Sequence, residues 1–166
     1  MGNIIFMMGV SGCGKTTIGK ALAHELQLPF LEGDSFHPQK NIAKMASGQA
    51  LNDADRKPWL QKINAAVKEK LSTGCVVSCS ALKISYRNIL AELLPPERIH
   101  WIYLKGSHAL TLERLQARKG HFMPSSLLQS QMDLLEETSS LTAISIAQTP
   151  TAIVEEIVKT LAYVKS

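Results

Sequence analysis

Five apolar residues, Ile4-Ile5-Phe6-Met7-Met8, run straight into Gly9-Val10-Ser11-Gly12-Cys13-Gly14-Lys15-Thr16. The helical stretch Thr17-Ile18-Gly19-Lys20-Ala21-Leu22-Ala23 follows at once. This order of strand, glycine loop and helix constrains the fold more than any other feature. The glycines let successive backbone N–H groups curl around phosphate oxygens with no Cβ in the way. In the pattern G-x-x-x-x-G-K-T, Lys15 reaches β- and γ-phosphates and the Thr16 hydroxyl ligates Mg²⁺. The helix behind the loop turns its positive N-terminal end to the same anion. Gly9, Val10, Ser11, Gly12, Cys13, Gly14, Lys15, Thr16 and Thr17 are therefore expected to bind a nucleoside triphosphate.

Short apolar runs alternate with helical patterns along the rest of the chain, which predicts a parallel β-sheet with helices on both faces, an α/β fold. The runs place strands at Asn3–Met8, Pro29–Glu32, Cys75–Cys79, Ile99–Leu104 and Ala143–Ile146. Helical periods fall at Lys15–Glu25, Pro38–Ala46, Asp53–Leu71, Ile84–Leu93, His108–Ala117, Ser126–Glu136 and Pro150–Val164. No repeat or linker divides the chain, so residues 1–166 read as one domain. In sheets of this kind ligands sit beyond the carboxyl ends of the strands, and the functional residues are sought there.

Asp34 follows the second strand, within Glu32-Gly33-Asp34-Ser35-Phe36-His37-Pro38. A carboxylate at that strand end can accept a hydrogen bond from a substrate hydroxyl and help place Mg²⁺; a helix-capping Asp is the plainer reading. His37 precedes a proline and is extended, as a substrate ligand or as a cap. Further on, Asp53 or Asp55 reads as a helix cap. Arg56 reads as a fork for a substrate carboxylate, or as one side of a surface ion pair with either aspartate. Ser80 ends the third strand, and Lys83 and Arg87 lie four apart on one expected helix face. Two like charges so stacked point to an anion between or near them; solvated surface cations are the plainer reading. After the fourth strand, Arg114 and Arg118 repeat the spacing and lead into Lys119-Gly120-His121-Phe122-Met123-Pro124. A glycine- and proline-bounded cationic segment suits a lid that closes over a transferring phosphoryl group, with His121 within it as a functional group or as a packed loop histidine.

Composition narrows the classes. Hydrophobic residues make up 45% of the 166 and charged ones 19%, which supports a packed core and argues against disorder. The net charge is +4, yet no block of five like charges occurs, and only three Tyr and two Trp are available for base stacking. The cations are read as serving a small anionic substrate, and no nucleic-acid partner is expected. Cys13, Cys75 and Cys79 have neither zinc spacing nor an even count, so reduced thiols in the cytoplasm are expected. The start lacks a basic region, its apolar run is too short for a signal or a span, and no membrane partner is expected.

Taken together, several segments resemble bacterial gluconokinases of the small P-loop, shikimate-kinase-like type. They are Gly9–Thr16, Glu32-Gly-Asp-Ser-Phe-His-Pro-Gln-Lys-Asn41, Leu51-Asn-Asp-Ala-Asp-Arg-Lys-Pro-Trp-Leu60, Cys79-Ser-Ala-Leu-Lys83 and Gly120-His-Phe-Met-Pro-Ser-Ser-Leu-Leu-Gln-Ser-Gln131. The likeness runs from about Ile4 to Val164. It implies ATP- and Mg²⁺-dependent phosphorylation of D-gluconate to 6-phospho-D-gluconate, by a homodimer. It also implies a P-loop kinase core with a substrate-binding segment at about 34–72 and a lid at about 118–137. On that reading Lys15, Asp34 and Arg118 are catalytic, and Arg114 and Arg118 join the loop in binding nucleotide. Asp34, His37, Arg56, Ser80, Lys83, Arg87 and His121 bind the acceptor, and Thr16 holds the metal. The alternative is another small-molecule kinase of the shikimate or nucleoside-monophosphate type. A monophosphate acceptor calls for more arginines than Arg56 and Arg87, the only two from Asp34 to Arg87. One departure is that no strand ends in an aspartate of the Walker-B kind.

Lys15→Ala should abolish turnover and leave the fold intact, as followed by ADP release and circular dichroism. Turnover within about tenfold of wild type, only about 1.4 kcal/mol of barrier, contradicts the phosphate-loop assignment.

Overall fold

The strand that opens the chain lies in the middle of the sheet. The computed structural model describes residues 1–118 and 124–164. Strands β1 (Ile4–Met8), β2 (Phe30–Glu32), β3 (Cys75–Ser78), β4 (Ile99–Lys105) and β5 (Leu141–Ser145) form one all-parallel sheet in the order β2-β3-β1-β4-β5. They are joined through helices α1 (Lys15–Leu26), α2 (Gln39–Ala46), α3 (Asp53–Lys68), α4 (Ile84–Leu90), α5 (His108–Ala117) and α6 (Leu128–Leu134), and α7 (Pro150–Val164) follows β5. Among the described residues no helix is long and apolar enough to cross a membrane.

Strand periodicity sorts β1 between two cores. Ile5 and Met7 join Val76, Ile102, Leu104 and Ile144 against Ile18 and Leu22 of α1 and Ile153 and Ile157 of α7. Ile4, Phe6 and Met8 join Cys75 and Val77 on the other face, against Leu60, Ile63 and Val67 of α3 and Leu90 of α4. Both faces of the sheet are thus covered by helices, as the unbroken apolar runs predict. The connections leaving β1 and β4 run to opposite edges of the sheet. That reversal opens a crevice above the carboxyl ends of the strands.

Several boundaries differ from the sequence reading. β5 begins at Leu141, two residues early, because it is an edge strand paired only with β4. Its polar Thr142 and Ser145 sit in the ladder without interrupting a buried face, so an apolar-run criterion passes over them. α3 stops at Lys68 and α4 at Leu90, each closing in an αR turn. The expected sixth helix splits into a 3₁₀ turn, Ser125–Leu127, and α6. A 3₁₀ turn at Gly33–Phe36, without a signal in the sequence, follows β2.

That turn needs its glycine for space. A Cβ on Gly33 would stand 2.0 Å from the Ser78 carbonyl oxygen and 3.3 Å from Cys79 Cα, both backbone atoms that cannot swing aside. Gly33→Ala should therefore cost roughly 1–3 kcal/mol by overpacking, seen as a melting temperature several degrees lower. An unchanged melting temperature would show that β3 yields freely at this point.

Candidate active site

Two adjoining cavities occupy the crevice. The larger, about 460 Å³, is lined by the loop from Ser11 to Thr16, Thr17, Ile18, Asp34, Arg114, Arg118, Gln148, Pro150 and Ile153. Gly14, at φ 99°, caps α1 in a left-handed conformation and offers no side chain to its first turn. The first N–H groups of that helix are thus left for an outside acceptor. Lys15 Nζ donates to the carbonyls of Gly9 and Val10, at 3.0 Å each, so the lysine braces the loop it belongs to. Gly9 and Val10 do not line the cavity; Cys13 borders it but is almost wholly buried. Arg114, whose Nη2 donates to Ile146 O at 2.8 Å, and Arg118, the C-cap of α5, meet on the opposite wall. Sequence reasoning missed Gln148, Pro150 and Ile153. Their only sequence signal is their position just past a strand.

The second cavity is lined by Ser11, Lys15, Asp34, His37, Met45, Leu51, Arg56, Trp59, Ser80, Leu82 and Gln131. Ser11, Lys15 and Asp34 therefore border both cavities. Ser80 is tied to the loop through its carbonyl, which accepts Gly9 N–H at 3.2 Å. Trp59 fixes the 3₁₀ turn by donating Nε1–H to Gly33 O at 2.8 Å, and its ring stacks on His37 with centroids 3.9 Å apart. Burial, and then the charge of Arg56, push the His37 pKa down to about 4. The ring is neutral near pH 7, and Asn41 Nδ2 lies 3.3 Å from Nδ1. An amide donor there requires Nδ1 to accept, which leaves Nε2 carrying the proton.

Arg56 is buried, with Nη1 donating to Leu51 O at 2.6 Å and to Tyr86 OH at 3.1 Å. Tyr86 OH in turn donates to Asp53 Oδ1. That bond is the main reason Asp53 lies below the usual carboxylate range, while burial, then the same bond, pushes Tyr86 up to about 12. Arg56 is thus held by a neutral phenol and a carbonyl, with no carboxylate at its guanidinium among these contacts. The ion pair weighed for it goes instead to Lys83, which reaches Asp53 at 3.4 Å. The helix cap is Asn52, in a reciprocal capping box with Asp55.

Two expected acceptor ligands are placed elsewhere. Lys83 is the extended N-cap of α4 and does not share a helix face with Arg87. Arg87 is buried and spends its guanidinium on three carbonyls, those of Ala81, Leu82 and Glu136. Neither lines the acceptor cavity, and the repulsion expected between stacked cations is never set up. His121 lies outside the described residues.

Glu32 was passed over as the last residue of a strand. Its Oε2 accepts from the Thr16 hydroxyl and its Oε1 from Ser78 Oγ at 2.7 Å. The carboxylate beside Thr16 is thus Glu32, where Asp34 had been expected. Its signal was only the neighbouring strand ends that parallel pairing brings together.

A parallel sheet, a lysine-bearing phosphate loop at the end of its central strand and an acceptor cavity beside it define a P-loop kinase. The family model for shikimate kinase matches residues 11–162. The thermoresistant gluconokinase of Escherichia coli is 46% identical over 137 residues, 81% of this chain and 77% of that protein. The gluconokinase of Gluconobacter oxydans is 43% identical over 161 residues, 93% of this chain and 89% of its own. The crystal structure of a gluconokinase from Sinorhizobium meliloti superposes with a TM-score of 0.85 at 44% identity, covering 97% of this chain and 92% of that one. The chain belongs to the gluconokinases of the shikimate kinase family.

His37 yields a pH signature. Between about 6.5 and about 4 the unfolded chain takes up a proton at this histidine and the folded protein does not. Stability should therefore fall as pH drops through that window and stop falling from this cause below it. In urea titrations the stability advantage of wild type over His37→Gln should shrink between pH 7 and 4. A constant difference would mean that the ring titrates normally.

Proposed function

We propose that the protein transfers the γ-phosphoryl group of ATP to the terminal hydroxyl of D-gluconate, giving 6-phospho-D-gluconate and ADP. The observation that carries this reading is the sharing of Lys15 and Asp34 by the two cavities. A phosphoryl group at the loop and a hydroxyl in the second cavity meet there without crossing solvent. The resemblance to gluconokinases supports the choice of acceptor, and the lining agrees with it. Arg56 suits one carboxylate, while Asp34, Ser80 and the His37 Nε2–H suit hydroxyls.

In this scheme the bond from γ-phosphorus to the ADP oxygen breaks as the bond to the gluconate oxygen forms. Asp34 orients the attacking hydroxyl and takes its proton. Lys15 follows the phosphates, and Arg114 and Arg118 face the transferring group across the cavity. Mg²⁺ fits the hard oxygen donors of Thr16 and Glu32. When bound, it neutralises charge on the β- and γ-oxygens. Residues 34–72 serve as the acceptor-binding segment and residues 118–137 as the lid, His121 included. A cytoplasmic setting agrees with three free, buried thiols, and a homodimer with the family resemblance. The modest charge of +4 agrees with small anionic substrates in place of nucleic acid.

Arg56→Ala should raise the gluconate KM at least tenfold and leave the ATP KM nearly constant, since an abandoned carboxylate costs roughly 2–5 kcal/mol. Glucitol, the same polyol without the carboxylate, should be a poor substrate of the wild type and lose little more in the variant. Equal use of glucitol and gluconate by the wild type, or preference for shikimate or AMP in the same ADP-release assay, would overturn the substrate assignment.

A further inference from the structure

Tyr86 lines neither cavity, yet it holds the arginine of the acceptor cavity. It is 3% exposed, and its hydroxyl works in both directions. It accepts Arg56 Nη1–H at 3.1 Å and donates its own proton to Asp53 Oδ1. Burial, then the bond to Asp53, pushes its pKa up to about 12. The phenol therefore keeps that proton near pH 7 and has its lone pairs left to accept from Arg56. The ring lies beside two cations, with Arg56 Cζ 5.3 Å and Lys83 Nζ 5.6 Å from its centroid.

The chain Asp53–Tyr86–Arg56 leads from the surface into the site. The Asp53 side chain is 66% exposed, whereas Arg56 is 8% exposed. A carboxylate set directly on a guanidinium takes its two-pronged edge, the edge that an acceptor carboxylate needs. A phenol placed between the two avoids that competition. Both hydrogen bonds of Arg56 use Nη1, so Nη2 and Nε are uncommitted among the described residues. Nor are they sealed in the core: the one buried side-chain polar atom without a partner among those residues is Asn41 Oδ1. With Arg56 on the wall of the acceptor cavity, that edge opens where the acceptor binds.

We propose that Tyr86, anchored by Asp53, is a positioning residue that fixes the Arg56 guanidinium for the carboxylate of the acceptor. The inference deepens the gluconate reading and rests on it. It also gives Asp53 a role other than capping α3, which falls to Asn52.

The test uses the full-length protein and compares wild type, Tyr86→Phe and Asp53→Ala by kcat and KM for gluconate and for glucitol. Phe keeps the buried ring and removes only the hydroxyl. Asp53→Ala removes the anchor at an exposed position, so it carries the test if Tyr86→Phe does not fold; melting temperatures verify both. Tyr86→Phe should raise the gluconate KM at least about fivefold, and Asp53→Ala at least about threefold, each with kcat within about twofold of wild type. For glucitol, which has no carboxylate to place, kcat/KM should stay within about twofold in both variants. In an Arg56→Ala background, Tyr86→Phe should have no further effect on gluconate, because the two residues act as a unit. If gluconate and glucitol lose kcat/KM alike, or if the effects of Tyr86→Phe and Arg56→Ala simply add, Tyr86 only supports the fold and the inference is overturned. A gluconate KM unchanged in either folded variant overturns it as well. Wild type that uses glucitol as readily as gluconate overturns the substrate reading and this inference together; a preference for gluconate that the variants keep in full overturns this inference alone.

Discussion

The phosphate loop hangs from a strand that has no exposed face. Ile4, Phe6, Met7 and Met8 are 0% exposed and Ile5 is 1%. β1 is therefore locked between two cores, and its carboxyl end is a fixed point. The phosphate loop leaves from that point, Lys15 ties back to the carbonyls of Gly9 and Val10, and Ser80 holds Gly9 from the adjacent strand. Close packing makes such a mount stiff, and phosphoryl transfer, which depends chiefly on positioning and charge, requires a stiff mount.

The acceptor side is built differently. It is assembled from the turn after β2, the start of α3, the end of β3 and α6, which converge only through tertiary contacts. The arrangement balances charge with care. Arg56 sits in a buried setting with neutral partners, while Asp53 draws Tyr86 and Lys83 to itself. The guanidinium is thereby held without being neutralised at close range, a state that suits a cation reserved for an incoming carboxylate. His37 contributes by remaining uncharged near pH 7, through burial and then the charge of Arg56. A second cation there would repel Arg56 and leave no neutral donor for a hydroxyl.

Local chemistry decided which of these features could be read from the chain. The five strands, the seven longer helices and the phosphate loop follow from apolar periods and glycine spacing, and all stand where such patterns put them, within a few residues. Asp34, Arg56, Ser80, Arg114 and Arg118, which line the two cavities, are legible because they follow strands or fall at helical spacing near one. Glu32 and Gln131 were not, because each acquires its meaning from a partner far along the chain: Thr16 and Ser78 for one, Ser11 for the other. Lys83 and Arg87 misled for the opposite reason. Their spacing is helical, but α4 begins one residue too late to include Lys83, and carbonyls at the end of β3 and after α6 capture Arg87.

On the proposed mechanism donor and acceptor meet at the Lys15–Asp34 junction, and the phosphoryl group passes directly between them. A crystal structure with a non-hydrolysable ATP analogue, Mg²⁺ and gluconate tests it most directly. The expected complex has the γ-phosphate at Lys15, the gluconate carboxylate at Arg56 and the terminal hydroxyl between Asp34 and the γ-phosphorus. Gluconate bound with its carboxylate toward the loop, or outside the cavity that Arg56 lines, would contradict the account.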